Sequence, residues 1–115
     1  MPAIPIMGDG LPQPLLDMLG SDFEVLAWDD DENSPALLRA EALVAYGHPN
    51  IDGPVMDRAP NLKVISNHGV GVDHIDVAAA HDRKIPVGNT RGCLDASTAD
   101  MTMALLLATA RNVVV

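Results

Sequence analysis

Short runs of β-type residues alternate with helical stretches along this chain, and glycine or proline separates most of them. Because parallel strands need a crossover connection between them, this alternation favours a parallel α/β sheet with flanking helices. We predict strands at residues 3–7, 23–28, 42–46, 62–66 and 85–88, and helices at residues 11–19, 35–39, between 52 and 60, and from 76 to 84.

The strand at 62–66, Leu-Lys-Val-Ile-Ser, is a continuous run typical of a sheet covered on both faces. The loop Asn-His-Gly-Val-Gly-Val-Asp follows it, at the edge where ligands bind in open α/β sheets. Its two glycines permit backbone angles closed to other residues, so the N–H groups of Val70, Gly71 and Val72 can form a concave site for a carboxylate. A tight strand-to-helix turn without a ligand explains the same pattern, and the two interpretations stay open here.

The charge balance restricts the possible partners. Seven Lys and Arg against 16 Asp and Glu give a net charge of -9, which argues against nucleic acid and against an anionic membrane surface. Any anion site must therefore use local backbone groups or charge supplied from elsewhere. The single cysteine, Cys93, excludes an internal disulfide and suits a reducing compartment. No signal peptide is visible at the N-terminus, so we expect a cytoplasmic protein.

Other polar residues have less specific interpretations. His48 and His68 are expected in loops at the same sheet edge, as substrate hydrogen-bond donors or as surface residues, whereas His74 and His81 are expected to be structural. The histidines and the cysteine lack zinc spacing, so no metal site is predicted. The acidic run at 29–32 is interpreted as solvated loop charge, because its spacing does not suit a calcium loop.

The last predicted helix begins between Asp95 and Ser97, with Ser97 and Asp100 in capping-box spacing. Residues 101–110 are apolar almost all the way round, and about half as long as a membrane span. A helix without a polar face packs inside something larger or against a partner, so we expect exposed apolar surface on the isolated chain.

Four motifs then occur in order between residues 59 and 111: NLKVIS, GVGVDHID, IPVGNT and DASTAD. With them this half of the chain closely resembles the D-isomer-specific 2-hydroxyacid dehydrogenases, within them the glyoxylate/hydroxypyruvate reductase branch. The resemblance implies a flavodoxin-like substrate-binding domain at residues 1–94. It also implies that residues 95–115 contain the first helix of a nucleotide-binding Rossmann domain, and that the chain is an N-terminal fragment.

The resemblance further implies an NAD- or NADP-dependent enzyme, homodimeric at full length, that reduces small 2-oxo acids such as glyoxylate or hydroxypyruvate to D-2-hydroxy acids. In that family the backbone of the G-V-G loop holds the substrate carboxylate, which corresponds to Val70 and Gly71, and a threonine near the cofactor corresponds to Thr98. The family's catalytic arginine, glutamate and histidine have no counterpart here, so no catalytic residue is assigned and the chain alone is expected to be inactive. Arg91 replaces the family's usual proline and is expected to be tolerated in an exposed turn.

Two other functions remain to be weighed. A short non-catalytic module that associates through the apolar helix at 101–110 would explain the composition of that helix. A receiver-type signalling domain has similar element order, but it needs a phosphorylatable Asp after the third strand, where this chain has Tyr46-Gly47-His48. The sequence therefore disfavours the receiver.

Overall fold

Five parallel strands form one sheet in a computed structural model that describes residues 1–113. The strands are β1 (Ile4–Gly8), β2 (Phe23–Ala27), β3 (Ala42–Ala45), β4 (Val64–Asn67) and β5 (Val87–Gly88), in the spatial order β2-β1-β3-β4-β5. The helices are α1 (Gln13–Leu19), α2 (Pro35–Arg39), α3 (Gly53–Asp57), α4 (Val77–Asp82) and α5 (Asp95–Ala110), with a 3₁₀ turn at Gly20–Asp22. This architecture confirms the predicted parallel α/β fold. The last two residues of the predicted segment 95–115 lie outside the described residues.

Side-chain caps start three of the helices, as the sequence chemistry requires. The carboxylate of Asp52 accepts from the Val55 N–H of α3 at 3.0 Å, and that of Asp76 accepts from the Ala79 N–H of α4 at 2.8 Å, which confirms both predicted caps. The Ser34 hydroxyl does the same for α2 at 3.1 Å. These caps fix where each crossover helix begins relative to the strand before it.

Helix α4 ends at Asp82, two residues before the predicted end at Lys84. Lys84 has a φ of 58°, in the left-handed region. Its N–H donates to the His81 carbonyl, and the Ile85 N–H donates to the Ala80 carbonyl, both at 2.9 Å. This is a Schellman-type helix end with lysine at the position that glycine usually occupies. Because the sequence has no glycine there, the end of α4 was predicted two residues too late.

The hydrophobic core cluster joins buried side chains of α2, α3 and α4 to buried side chains of β1, β3 and β4. Its completely buried large side chains are Met7, Leu37, Leu43, Ile51 and Ile65. On β4, Ile65 and Asn67 are buried, but Val64 and Ser66 are exposed. The prediction that this strand is covered on both faces is therefore wrong for the described residues, and only its core-facing positions are enclosed.

A charged pair joins α3 to α4. The Nε–H of Arg83 donates to Oδ1 of Asp57 at 2.8 Å, and Nη1 donates to the Ala79 carbonyl at 2.9 Å. This hydrogen bond lowers the pKa of the Asp57 carboxyl and raises the pKa of the Arg83 guanidinium. The pair connects the end of α3, which precedes β4, to the residue that follows α4.

Helix α5 projects from the rest of the molecule. None of its residues is buried, and Met101, Leu105 and Leu106 are each 59–60% exposed, which confirms the expected exposed apolar surface. It begins at Asp95, so Ser97 lies inside the first turn and the predicted capping box with Asp100 is wrong. Among residues 1–113 no helix is long and apolar enough to cross a membrane.

Candidate functional site

The carboxyl ends of the strands meet at one edge of the sheet, and the loop that follows β4 lies there. We call residues 68–73 the glycine loop. It is joined to β3 by the His68 N–H, which donates to the Ala45 carbonyl at 2.9 Å. Strand β4 continues one residue beyond its predicted end and includes Asn67, which is paired with Ala45 in the parallel register. The side chain of Asn67 thereby enters the buried face directly under the loop.

Three successive carbonyls of the glycine loop accept hydrogen bonds from side-chain amides. Nδ2 of Asn67 donates to the carbonyls of Gly69 at 2.9 Å and Gly71 at 2.8 Å. Nδ2 of Asn89, just after β5, donates to the Val70 carbonyl at 2.9 Å. The Gly69 carbonyl also accepts from the Thr90 N–H at 3.1 Å. The loop is thus fixed through its carbonyl oxygens.

Fixing those carbonyls also fixes the adjacent N–H groups, because the C=O and N–H of a trans peptide point in opposite directions. The N–H groups concerned are those of Val70, Gly71 and Val72. Within residues 1–113 none of the three donates to a protein acceptor. Three consecutive amide donors of this loop thus have no protein acceptor in the described part of the chain, and their binding of an anion stays a prediction.

The conformational reason given for the two glycines is wrong. Neither Gly69 nor Gly71 has a positive φ, so neither needs the left-handed region that glycine alone enters freely. A Cβ on Gly69 would lie 3.7 Å from Nδ2 of Asn67, and one on Gly71 would lie 3.4 Å from Oδ1 of Asp73, both ordinary contacts. The asparagine side chains shape the loop, and the glycines leave its outer side open.

A cavity of about 650 Å³ lies between the glycine loop and the first turns of α5. It brings together Val70 and Thr98, which are far apart in the sequence, whereas Gly71 is not among its lining residues. The lining residues are Val70, Leu94, Asp95, Thr98, Ala99, Thr102 and Met103. The walls are mainly apolar, with a few polar groups, as is common for small-molecule sites.

A neighbouring cavity of about 390 Å³ shares Val70 and Leu94 with the first. Its other lining residues are His68, Gly69, Thr90 and Cys93. Cys93 is exposed, and its thiol lies 3.8 Å from the Arg91 carbonyl. The loop thus lines two adjacent cavities. The smaller one is also lined by Thr90, Cys93 and Leu94, and the larger one by Leu94 and residues of α5.

The histidines form two separate aromatic contacts at this edge. His68 packs against Tyr46 with ring centroids 4.6 Å apart, and His48 meets His74 edge-on at 4.9 Å. His74 is the buried member, and its Nε2 lies 3.0 Å from Oδ1 of Asn67. The exposed His81 lies in α4. Only His68 lines a cavity of the site.

Asn67, Asn89 and His74 are functional candidates that the sequence analysis missed. A buried asparagine at the end of an apolar strand was the available signal, because a buried amide needs partners. Those partners are loop carbonyls two and four residues later, a contact that only the folded loop shows. Among residues 1–113 there is no group of three His, Cys, Asp or Glu side chains placed to hold a metal ion.

A family model and several known proteins match this chain. The family model described as D-isomer specific 2-hydroxyacid dehydrogenase, catalytic domain, matches residues 8–114. The chain is similar to a glyoxylate reductase of Pyrococcus horikoshii, 42% identical over 110 residues, and to one of Thermococcus gammatolerans, 40% identical over 110 residues. Each alignment covers 90% of this chain and 33% of the relative, so the chain spans about a third of the length of these curated relatives.

Solved structures give the same result for the fold. An NADPH-dependent glyoxylate/hydroxypyruvate reductase of Sinorhizobium meliloti, solved with citrate, matches with a TM-score of 0.77 and 30% identity over 95% of this chain and 35% of that one. A 2-hydroxyacid dehydrogenase of Ketogulonicigenium vulgare matches with a TM-score of 0.75 and 30% identity over 96% of this chain and 37% of that one. The parallel sheet with its flanking helices is the arrangement found in these proteins.

Proposed function

The chain belongs to the D-isomer specific 2-hydroxyacid dehydrogenase family, and from this premise we propose that it forms the substrate-carboxylate site of an NAD- or NADP-dependent oxidoreductase. The complete protein reduces 2-oxo acids such as glyoxylate or hydroxypyruvate to D-2-hydroxy acids. Residues 1–94 form its substrate-binding domain, and residues 95–115 begin its nucleotide-binding domain. It acts as a homodimer in the cytoplasm.

The free donors of the glycine loop carry this proposal. The Val70 and Gly71 N–H groups donate to the substrate carboxylate, with the Val72 N–H beside them. Hydrogen bonds to a charged acceptor each contribute about 1.5–3 kcal/mol. The chain has a net charge of -9, so the attraction is local and comes from oriented peptide dipoles, not from the overall field.

The cavity beside the loop fits one end of the cofactor. The apolar side chains Leu94, Ala99 and Met103 in its lining suit a flat nicotinamide ring. Of the polar residues in the lining, which are Asp95, Thr98 and Thr102, we assign Thr98 to the cofactor. The glycine loop does not match the G-x-G-x-x-G pattern that binds the phosphates of a dinucleotide cofactor. That pattern would need glycine at position 74, where the sequence has His74. When bound, the nicotinamide supplies the hydride. The part played by this chain is to hold the carboxylate so that the 2-oxo carbon faces the cavity, and the chain alone is inactive.

The test is a titration of the isotope-labelled chain with glyoxylate, followed by amide resonances. We expect the Val70, Gly71 and Val72 signals to shift with one common saturation curve, while residues on the opposite sheet edge stay unchanged. Glycolaldehyde, which lacks the carboxylate, is the matched control and leaves those three signals in place. A glyoxylate response that omits the glycine loop contradicts the assigned site.

Activity is measured on the complete gene product, by oxidation of NADH and of NADPH with glyoxylate and hydroxypyruvate. We expect turnover with at least one combination and none from the 115-residue chain. Absence of turnover with every combination argues against the reductase.

One observation favours a second function. The apolar side chains of α5 are exposed along its whole length, as in a helix that associates with a partner. A chain that self-associates through α5 and ignores glyoxylate is an association module.

A further inference from the structure

Asn67 and His74 form a buried polar pair beneath the glycine loop. Asn67 is 3% exposed, and the His74 side chain is 8% exposed. Neither lines the two cavities beside the loop, so neither is placed to touch a substrate. We propose that they are positioning residues, in which His74 donates through Nε2–H to Asn67 and Asn67 holds the loop for carboxylate binding. This inference rests on the proposed function.

The orientation of the Asn67 amide follows from its partners. Nδ2 lies 2.9 Å and 2.8 Å from the carbonyl oxygens of Gly69 and Gly71, and these oxygens only accept. The opposite orientation of the amide would bring Oδ1 against both oxygens without a hydrogen between them. Since an amide nitrogen has two hydrogens, both are used by the loop.

The orientation of Asn67 determines the role of His74. Oδ1 of Asn67 accepts only, and Nε2 of His74 lies 3.0 Å away, so Nε2 carries a hydrogen and donates it. Nδ1 of His74 is buried and has no hydrogen-bond partner among the described residues, and it lies 3.8 Å from Oδ1 of Asp73. The only hydrogen bond that the ring makes in the described part of the chain is therefore the one that orients Asn67.

The backbone of His74 is itself fixed. Its carbonyl accepts from the Ile51 N–H at 2.9 Å, and the Ile51 carbonyl accepts from the Asp76 N–H at 2.9 Å. Ile51 is completely buried, and Ile75 pairs with it in a parallel bridge. The loop is thus held between the end of β4 and a second rigid point, with the Asn67–His74 hydrogen bond connecting the two.

Loss of the donor at position 74 leaves the buried Oδ1 of Asn67 without its hydrogen bond, so the Asn67 amide is held only by its bonds to the two loop carbonyls and holds the loop less rigidly. The N–H groups of Val70 and Val72, which belong to the same peptide units as those carbonyls, are then no longer held in fixed directions. Because donors held in place before binding give affinity that mobile donors do not, we expect glyoxylate binding to weaken on the order of tenfold. In the complete protein this appears as a higher KM with little change in kcat.

His74→Phe removes the donor and keeps a buried ring, whereas His74→Gln keeps an N–H at the end of a side chain of similar reach. His81→Gln, on the exposed side of α4, is the matched control. We expect weakened glyoxylate binding and lower amide order parameters at Val70 and Gly71 for His74→Phe. His74→Gln should restore both to near the original values, and His81→Gln should change neither. A folded His74→Phe chain with unchanged affinity and an unchanged loop overturns the proposal.

The unsubstituted chain supplies an independent measurement. The ¹⁵N–¹H spectrum of the His74 ring should show a slowly exchanging hydrogen on Nε2, with a coupling across the hydrogen bond to Asn67. A ring with no hydrogen on Nε2 overturns the proposal even if His74→Phe does not fold. If the unsubstituted chain does not bind glyoxylate, the proposed function fails, while the ring hydrogen and the loop order parameters still decide the positioning role.

Discussion

At the scale of single residues, a substitution at Gly71 should weaken ligand binding and leave folding almost unchanged. A Cβ there would meet only an ordinary contact at 3.4 Å, and the φ is not left-handed, so Gly71→Ala should change the free energy of unfolding by less than about 0.5 kcal/mol. The added methyl narrows the approach to the loop N–H groups. We expect glyoxylate affinity to fall on the order of tenfold, measured by amide titration beside a thermal melt.

Gly20→Ala is the matched control for this substitution. Gly20 ends α1 with a φ of 62° and a ψ of -153°, a region that is essentially restricted to glycine, and a Cβ there would have no neighbour within 4 Å. Alanine at this position therefore costs only conformational energy, about 1–3 kcal/mol. It lies away from the glycine loop, and glyoxylate affinity should stay the same. A Gly71→Ala chain that is destabilised as much as Gly20→Ala, with affinity intact, would show that Gly71 serves folding.

The residues of the site were partly predictable for a physical reason. The position of Val70 and Gly71 followed from the predicted strand at 62–66, since a loop after a strand of a parallel sheet must lie at the carboxyl edge of that sheet. The hydrogen bonds that hold the loop could not be predicted from the sequence, because the partners of Asn67 and Asn89 are set by tertiary geometry. The same limitation explains why the glycines were assigned a dihedral role that the structure does not show.

At the scale of elements, the left-handed backbone conformation of Lys84 at the end of α4 leads to a prediction about stability. Lys84→Gly removes the steric cost of a φ of 58° in a residue with a Cβ, at the expense of a more flexible unfolded chain. We expect a net gain of about 0.5–1 kcal/mol in the free energy of unfolding by urea denaturation. Lys84→Ala keeps the Cβ and should bring no such gain. Equal stability of the glycine and alanine variants would contradict the left-handed end.

Elements were predictable where one local interaction dominates. Asp52 and Asp76 were identified as caps because a carboxylate before a helix satisfies free N–H groups, whatever the rest of the fold does. The Ser97 capping box failed because α5 begins two residues earlier, at Asp95, which puts Ser97 in its first turn. The prediction that β4 is covered on both faces was wrong because the apolar composition of a strand does not determine how many helices pack on each face of the sheet.

At the scale of the whole molecule, α5 makes the chain extended. The radius of gyration is 17.8 Å, whereas a compact chain of this length has about 13 Å. The apolar composition of residues 101–110 predicted a helix that needs a cover, and the structure shows it outside the core. The sequence could not specify where the helix lies relative to the sheet, because none of its side chains is buried against the other elements.

The core lies entirely before residue 95, so residues 1–94 should fold without α5. We expect a chain ending at residue 94 to melt within about 4 °C of the full chain, because losing α5 removes little buried surface. It should also bind less of a hydrophobic dye, since Met101, Leu105 and Leu106 are gone. Its melt is followed by circular dichroism.

Two leucine-to-alanine substitutions calibrate that comparison. Leu106→Ala in the exposed α5 should change the free energy of unfolding by less than about 0.5 kcal/mol, because the side chain is already in solvent. Leu37→Ala, at a completely buried position, should cost about 2–5 kcal/mol. A large loss from Leu106→Ala, or failure of residues 1–94 to fold, would mean that α5 packs on the sheet in solution, and the boundary at residue 94 would then be wrong.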